Sequence, residues 1–219
     1  MNVPGGTRAS AAYEAIRAAI LDGRLHPGWR VTVRPLAEEL GLSPTPIKTA
    51  LAALEREGFL VAIAHRGYFV PEVSAGDMAE IYELREVIDG IAARRVTIND
   101  AAPVLARELD VLLTAQRRAV AAHDLSRYSE LDLVFHRTIW QASGNRRLMQ
   151  SAENLLGQVR LGSGTSSQVP GRLALALDEH AATVRAIRAG DPLVAEGAAR
   201  AHVRLAGEAL QNHLSKPED

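Results

Sequence analysis

The sequence predicts a mainly α protein: an N-terminal winged helix-turn-helix with a small β-hairpin, followed by a C-terminal antiparallel six-helix bundle. Three observations carry this reading. Apolar residues recur at helical spacing in three short segments before residue 58, two β-prone runs flank a basic turn at 64–67, and every apolar pattern beyond residue 77 is helical. A chain of 219 residues with 47% hydrophobic composition can bury the core of one large domain or two small ones.

In the first segment, Ala11, Ala12, Ala15, Ile16, Ala19 and Ile20 form one apolar stripe that ends at Gly23. His26-Pro27-Gly28 is turn chemistry and Arg30-Val31 a short extended piece. Thr32 is an N-cap for a second helix that buries Leu36, Ala37 and Leu40 and stops at Gly41. Ser43 caps a third, with Pro44 at the first helical position, where a missing N–H costs nothing. Its buried stripe is Ile47, Ala50, Leu51 and Leu54, and it ends at Gly58. The runs Phe59–Ile63 and Tyr68–Val70 then form a hairpin around Ala64-His65-Arg66-Gly67.

Ser74-Ala75-Gly76-Asp77 is a capping box that opens a new helical stretch. The expected organisation is a flexible tail over 1–8 marked by Pro4-Gly5-Gly6, a first domain over 9–71, a linker over 72–76, an all-helical domain over 77–214 and a tail over 215–219. Six helices are expected near 77–98, 101–122, 124–142, 145–161, 172–189 and 192–214. They are punctuated by Asn99-Asp100, His123-Asp124, Ser143-Gly144-Asn145 and Gly190-Asp191-Pro192. The polar segment GSGTSSQVPG, residues 162–171, reads as a mobile loop. The small residues of Ala174–Ala182 and Ala195–Ala209 read as devices for close helix packing.

The chain has no cysteine, which excludes disulfides and thiolate metal sites; any metal must be held by His, Asp or Glu. The N-terminus lacks the apolar core of a signal peptide and no apolar run reaches membrane-spanning length, so the expectation is a cytoplasmic protein without a membrane partner. The formal net charge of -1 does not by itself point to nucleic acid. Any DNA site must come from local placement.

Two short helices around Gly41-Leu42-Ser43, the second leading into a hairpin, can set that second helix into a major groove. Arg34, Lys48 and Arg66 are spread as separate phosphate or groove contacts, and Thr45 and Thr49 can add hydrogen bonds. Helix, glycine turn and helix also occur in folds that never touch DNA. The stretch GRLHPGWRVTVRPLAEELGLSPTPIKTALAALEREGFLVAIAHRGYFV, however, resembles the N-terminal domain of the GntR family of bacterial regulators. That resemblance implies a cytoplasmic homodimer bound to double-stranded operator DNA through Arg34, Ser43, Thr45, Lys48, Thr49, His65, Arg66 and Gly67. Where the family usually reads Ser-Arg-Thr-Pro-Val-Arg-Glu-Ala-Leu, this chain has Ser43-Pro44-Thr45-Pro46-Ile47-Lys48-Thr49-Ala50-Leu51. Pro44 cannot contact a base, and Lys48 lacks the bidentate fork that reads guanine, so the family's common operator sequence does not transfer.

Residues 78–212 resemble the ligand-sensing FCD domain of the FadR subfamily through Ile81-Tyr82-Glu83-Leu84-Arg85, Asp132-Leu133-Val134-Phe135-His136 and Ala142-Ser143-Gly144-Asn145. Asp132 and His136, four apart on a helix, project from one face and can share a cation. His180 and His202 lie about ten residues either side of the Gly190-Asp191 turn, so at roughly 1.5 Å per residue they sit at similar depth. The quartet Asp132, His136, His180 and His202 matches the one Asp and three His of metal-binding FCD proteins. It implies a divalent metal, zinc first, with nickel, iron or manganese also compatible with nitrogen and oxygen donors. His26, His123 and His213 read as ordinary surface or hydrogen-bonded core residues. Arg85 matches the family's cavity arginine, with a small carboxylate effector as its partner; the competing reading is an exposed arginine or one paired with Glu86 or Asp89. Family habit implies a repressor released by its effector. The alternatives are a regulator that responds to metal alone and a metal-dependent hydrolase. No HExxH, GxSxG or P-loop motif supports the latter, and no enzyme is expected.

Overall fold

The computed structural model describes residues 7–98, 102–162 and 166–215. The Pro4-Gly5-Gly6 tail, the Asn99-Asp100 break, residues 163–165 of the expected loop and residues 216–219 lie outside the described residues. The chain folds as two compact units, the first holding the described residues up to Val73 together with Arg160 to Gly162, the second holding the others.

In the first unit, α1 (Arg8–Leu21), α2 (Val33–Leu40) and α3 (Pro44–Arg56) enclose a core of Ile16, Ile47, Leu51, Leu54, Phe59 and Leu60. The Thr7 side chain caps α1 by accepting from Ser10 N at 3.2 Å, so the helix begins inside the segment expected as a tail. Strands β1 (Arg30–Val31), β2 (Val61–Ile63) and β3 (Gly67–Phe69) form an antiparallel sheet in the order β1-β3-β2. The Arg30-Val31 piece is therefore a third strand, pairing Arg30 with Phe69. Gly41 ends α2 at φ +62°, the left-handed conformation that lets the chain turn at once into α3.

Thr32 and Ser43 stand at the N-caps of α2 and α3, yet neither side chain makes the expected capping hydrogen bond. Both N-cap positions are as read, and the sequence explains the missing bonds. The third helical residue, whose N–H such a cap ordinarily engages, is Pro35 in α2 and Pro46 in α3, and proline has no N–H to donate.

The second unit comprises α4 (Ala75–Thr97), α5 (Ala102–Ala121), α6 (Leu125–Ala142), α7 (Arg146–Val159), α8 (Arg172–Ala189) and α9 (Pro192–Leu214). The capping box forms: Asp77 N donates to Ser74 Oγ at 3.1 Å, and Ser74 N donates to the Asp77 carboxylate at 2.8 Å. The Ser74 hydroxyl and amide together hold the Asp77 carboxyl below its ordinary range. Gly190 at φ +72° and Asp191, which accepts from Leu193 N and Val194 N, reverse the chain between α8 and α9. The segment expected as a mobile loop is partly ordered. Gly162 bridges to Val73, and Ser166–Gln168 form a 3-10 helix in which Ser166 accepts from the Tyr82 hydroxyl.

Helix α4 packs most extensively on α9, and small residues permit it, as the alanine and glycine pattern implies. Ala195, Ala199 and Ala206 are buried, and a Cβ added to Gly207 would stand 2.9 Å from Tyr82 Cβ. Tyr82 Cβ is fixed to the α4 backbone and cannot swing away. Gly197 on the same helix has nothing within 4 Å of such an atom. Substituting Gly207→Ala is therefore expected to lower stability by roughly 1–3 kcal/mol through overpacking, while Gly197→Ala raises it by up to about 1 kcal/mol through helix propensity. Urea unfolding of the two variants checks the opposite signs.

Candidate metal centre and nucleic-acid interface

Three buried histidines meet in the second unit: His136 from α6, His180 from α8 and His202 from α9. Each offers a ring nitrogen within 4.8 Å of the others, and His180 Nε2 lies 3.1 Å from His202 Nε2. The antiparallel α8–α9 turn thus brings His180 and His202 to the same depth. Asp132, one turn before His136, stands at the edge of the cluster and is partly exposed. Its Oδ1 is 3.5 Å from His180 Nε2 and its Oδ2 4.0 Å from His136 Nε2. The Tyr128 hydroxyl donates to Asp132 Oδ1 at 3.3 Å.

The other nitrogen of each ring is engaged by an outer acceptor. His136 Nδ1 lies 2.9 Å from Asp89 Oδ1, His180 Nδ1 3.2 Å from Gln116 Oε1, and His202 Nδ1 2.8 Å from Glu179 Oε2. A carboxylate or amide oxygen only accepts, so the proton of each neutral ring belongs on Nδ1 and the Nε2 lone pair faces inward. Burial, followed by the proximity of His202 and His136, holds His180 well below the ordinary histidine range. Burial also lowers His202, against the opposing pull of Glu179. With both protons on Nδ1, the Nε2 lone pairs of His180 and His202 face one another at 3.1 Å, an arrangement that fits a divalent metal between them.

The acceptors are themselves anchored. Burial would raise the Asp89 carboxyl, but the His136 hydrogen bond, the Arg85 charge and a 2.9 Å bond from Trp140 Nε1 outweigh it and hold it low. Glu179 is likewise held low against its burial by His202 and Arg172, whose Nη2 donates to it at 2.5 Å. Arg85 is buried, with Nε 3.8 Å from Asp89 Oδ2, and that Nε has no hydrogen-bond partner. The cavity beside the histidines is bordered by Asp89, Phe135, Ile139, Thr183 and Ala199; Arg85 sits behind Asp89 and does not border it. His26, His123 and His213 are exposed and apart from the cluster.

Asp89, Gln116, Glu179 and Arg172 are site residues that sequence reasoning misses. Asp89 carries a faint signal, four residues beyond Arg85. Glu179 adjoins His180 in sequence but serves His202, a relation that only the packing of α8 on α9 reveals. Nothing in the sequence marks Gln116.

In the first unit, Ser43, Thr45, Lys48 and Thr49 are exposed on the face of α3 opposite Ile47, Ala50, Leu51 and Leu54. The Thr49 hydroxyl donates to Thr45 O at 3.1 Å, so its donor is already engaged. Arg34 is exposed and pairs with Glu38 at 2.9 Å. At the hairpin tip His65 adopts φ +61° and Gly67 φ +99°, and the Arg66 guanidinium lies over the Phe69 ring at 5.3 Å. Arg30 on β1 is a further exposed cation beside Gly67 that the motif reading passes over.

Comparison with known proteins agrees with both halves. Residues 8–70 match the gntR family of bacterial regulatory proteins and residues 80–205 match the FCD domain. The chain is 31% identical over 199 residues to a probable D-xylose utilization operon transcriptional repressor of Paenarthrobacter nicotinovorans, covering 90% of this chain and 86% of that one. It is 36% identical over 141 residues to an HTH-type transcriptional regulator in the TAR-I ttuE-ttuC' intergenic region of Agrobacterium vitis, covering 63% and 82%. Among solved structures, Escherichia coli McbR/YncC superposes with a TM-score of 0.72 at 20% identity, covering 96% of this chain and all of that one, which speaks to the fold. No helix among the described residues is long and apolar enough to cross a membrane. The chain therefore belongs to the GntR family, with an FCD domain behind its winged helix-turn-helix, and is a metabolite-responsive DNA-binding transcription regulator and not an enzyme.

Proposed function

We propose that this regulator is a cytoplasmic homodimeric repressor that senses a small carboxylate at a divalent metal held by Asp132, His136, His180 and His202. The observation that carries the metal is the convergence of three buried histidines whose Nδ1 atoms are all engaged by outer acceptors. The nitrogen and oxygen donors suit zinc, and equally admit nickel, iron or manganese. When bound, the metal supplies a Lewis-acidic position to which a carboxylate oxygen can coordinate. Arg85 does not border the cavity, so its assigned part in effector binding rests on the family resemblance, with an Nε that has no hydrogen-bond partner as the donor it could offer. The repressor sense follows the Paenarthrobacter relative's name.

Operator contact is assigned to Arg34, Ser43, Thr45, Lys48, Thr49, His65, Arg66 and Gly67. The exposed α3 face and hairpin tip support this assignment, and a two-fold dimer would present two such faces to a palindromic site. Lys48 lacks the fork geometry of arginine, so its contribution is charge on phosphate more than base reading.

Operator affinity, measured on DNA selected from random sequence, tests the sensing claim directly. With zinc fixed, a panel of small carboxylates should contain one that weakens binding at least fivefold, as a coupling of roughly 1 kcal/mol or more requires. The same compound should have no effect on His180→Ala. A change driven by zinc alone, with every carboxylate silent, would replace the effector by the metal. On the DNA side, Lys48→Ala and Arg66→Ala should weaken binding about equally across sequences, each reducing the slope of log affinity against log salt by about 1. An unchanged slope would remove these two side chains from the phosphate contacts.

A further inference from the structure

We propose that Asp89 is a positioning residue that presets His136 as an Nε2 metal ligand before any metal arrives. The proposal deepens the metal reading above, because it says which chemistry fixes the ligand ring and from which helix. Asp89 lies on α4 and His136 on α6, 47 positions apart, and Asp89 Oδ1 is 2.9 Å from His136 Nδ1. The same Oδ1 accepts from Trp140 Nε1 at 2.9 Å. Two donors converge on one oxygen, and both belong to α6, one turn apart. The carboxylate therefore fixes the rotation of the His136 ring and the height of α6 against α4 together.

The chemistry of the contact is one-directional. A carboxylate in this pocket has only lone pairs to offer, so His136 must donate through Nδ1 and leave Nε2 bare toward His180, His202 and Asp132. The negative charge is balanced from behind by Arg85, whose Nε approaches Oδ2 at 3.8 Å without a hydrogen bond. Arg85 and Asp89 are both buried, which keeps the pair out of bulk solvent. The set Arg85–Asp89–His136 is thus a closed charge arrangement running from α4 to the metal position. His180 and His202 are held by Gln116 and Glu179 instead, so removing Asp89 should disturb one ligand and leave two in place.

The experiment uses the full chain, stripped of metal by a chelator, with histidine ring tautomers read by long-range nitrogen-15 NMR and zinc affinity read by competition with a chromophoric chelator. Wild-type protein should show His136 protonated on Nδ1 without metal; a His136 protonated on Nε2 would overturn the proposal with no variant needed. In Asp89→Ala, His136 should lose that tautomer preference while His180 and His202 keep theirs, and zinc should bind 10–100-fold more weakly, the usual cost of an outer hydrogen-bond partner. Asp89→Asn keeps an amide oxygen for the two α6 donors, so it should retain the Nδ1–H tautomer and bind zinc more tightly than Asp89→Ala. It also keeps the test open if the alanine variant fails to fold. Unchanged tautomer and affinity in Asp89→Ala would defeat the positioning claim. Wild-type protein that binds no zinc would defeat the metal reading, while the tautomer result would still decide the role of Asp89.

Discussion

The second unit is organised around three imidazoles whose outer nitrogens are all engaged and whose inner lone pairs face one another. Burying three histidines without partners would leave polar atoms stranded, a cost of a few kcal/mol for each. Asp89, Gln116 and Glu179 remove that cost at Nδ1 from three different helices, α4, α5 and α8. What they leave uncompensated is the inner face, where His180 and His202 approach at 3.1 Å. A cation bound there would tie the packing of this core to metal binding. The close α4–α9 crossing at Gly207 belongs to the same constraint, because α4 carries Asp89 and α9 carries His202.

Much of this was legible in the sequence. Helical period, the Ser74–Asp77 capping box and the Gly41 and Gly190 turns locate the helices because each signal is local and has a single mechanism. The depth argument for His180 and His202 works because the Gly190-Asp191 turn forces an antiparallel pair. Thr32 and Ser43 mark the N-caps of α2 and α3 as read, but neither side chain bonds back to its helix, where proline has removed the third N–H. Strand β1 was visible only as an extended dipeptide, since pairing with β3 is a long-range choice.

The outer acceptors were illegible for a physical reason. Which side chain meets the back of a ligand ring depends on crossing angles and on side-chain direction across helices, and a linear pattern encodes neither. Glu179 lies beside one ligand and serves another. Arg85 illustrates the reverse case: sequence proposed both an effector role and an ion pair with Asp89, and in the fold it stands 3.8 Å from Asp89 while its Nε stays unpartnered. The contact to Asp89 and the unpartnered donor are compatible, and together they put a positive charge behind Asp89 and His136.

The first unit offers its chemistry differently, through exposed side chains on an ordinary apolar core. Pro44 and Lys48 in place of arginines shift the expected balance from base reading toward charge and shape, and Arg30 and Arg66 beside the hairpin tip strengthen that shift. Zinc binding at the three histidines is read by X-ray absorption at the zinc edge on this chain loaded with zinc. The spectrum should show one zinc per chain with three imidazole ligands and oxygen completing the shell, and one imidazole fewer in His180→Ala. A spectrum without imidazole scattering, or one that His180→Ala leaves unchanged, would contradict it.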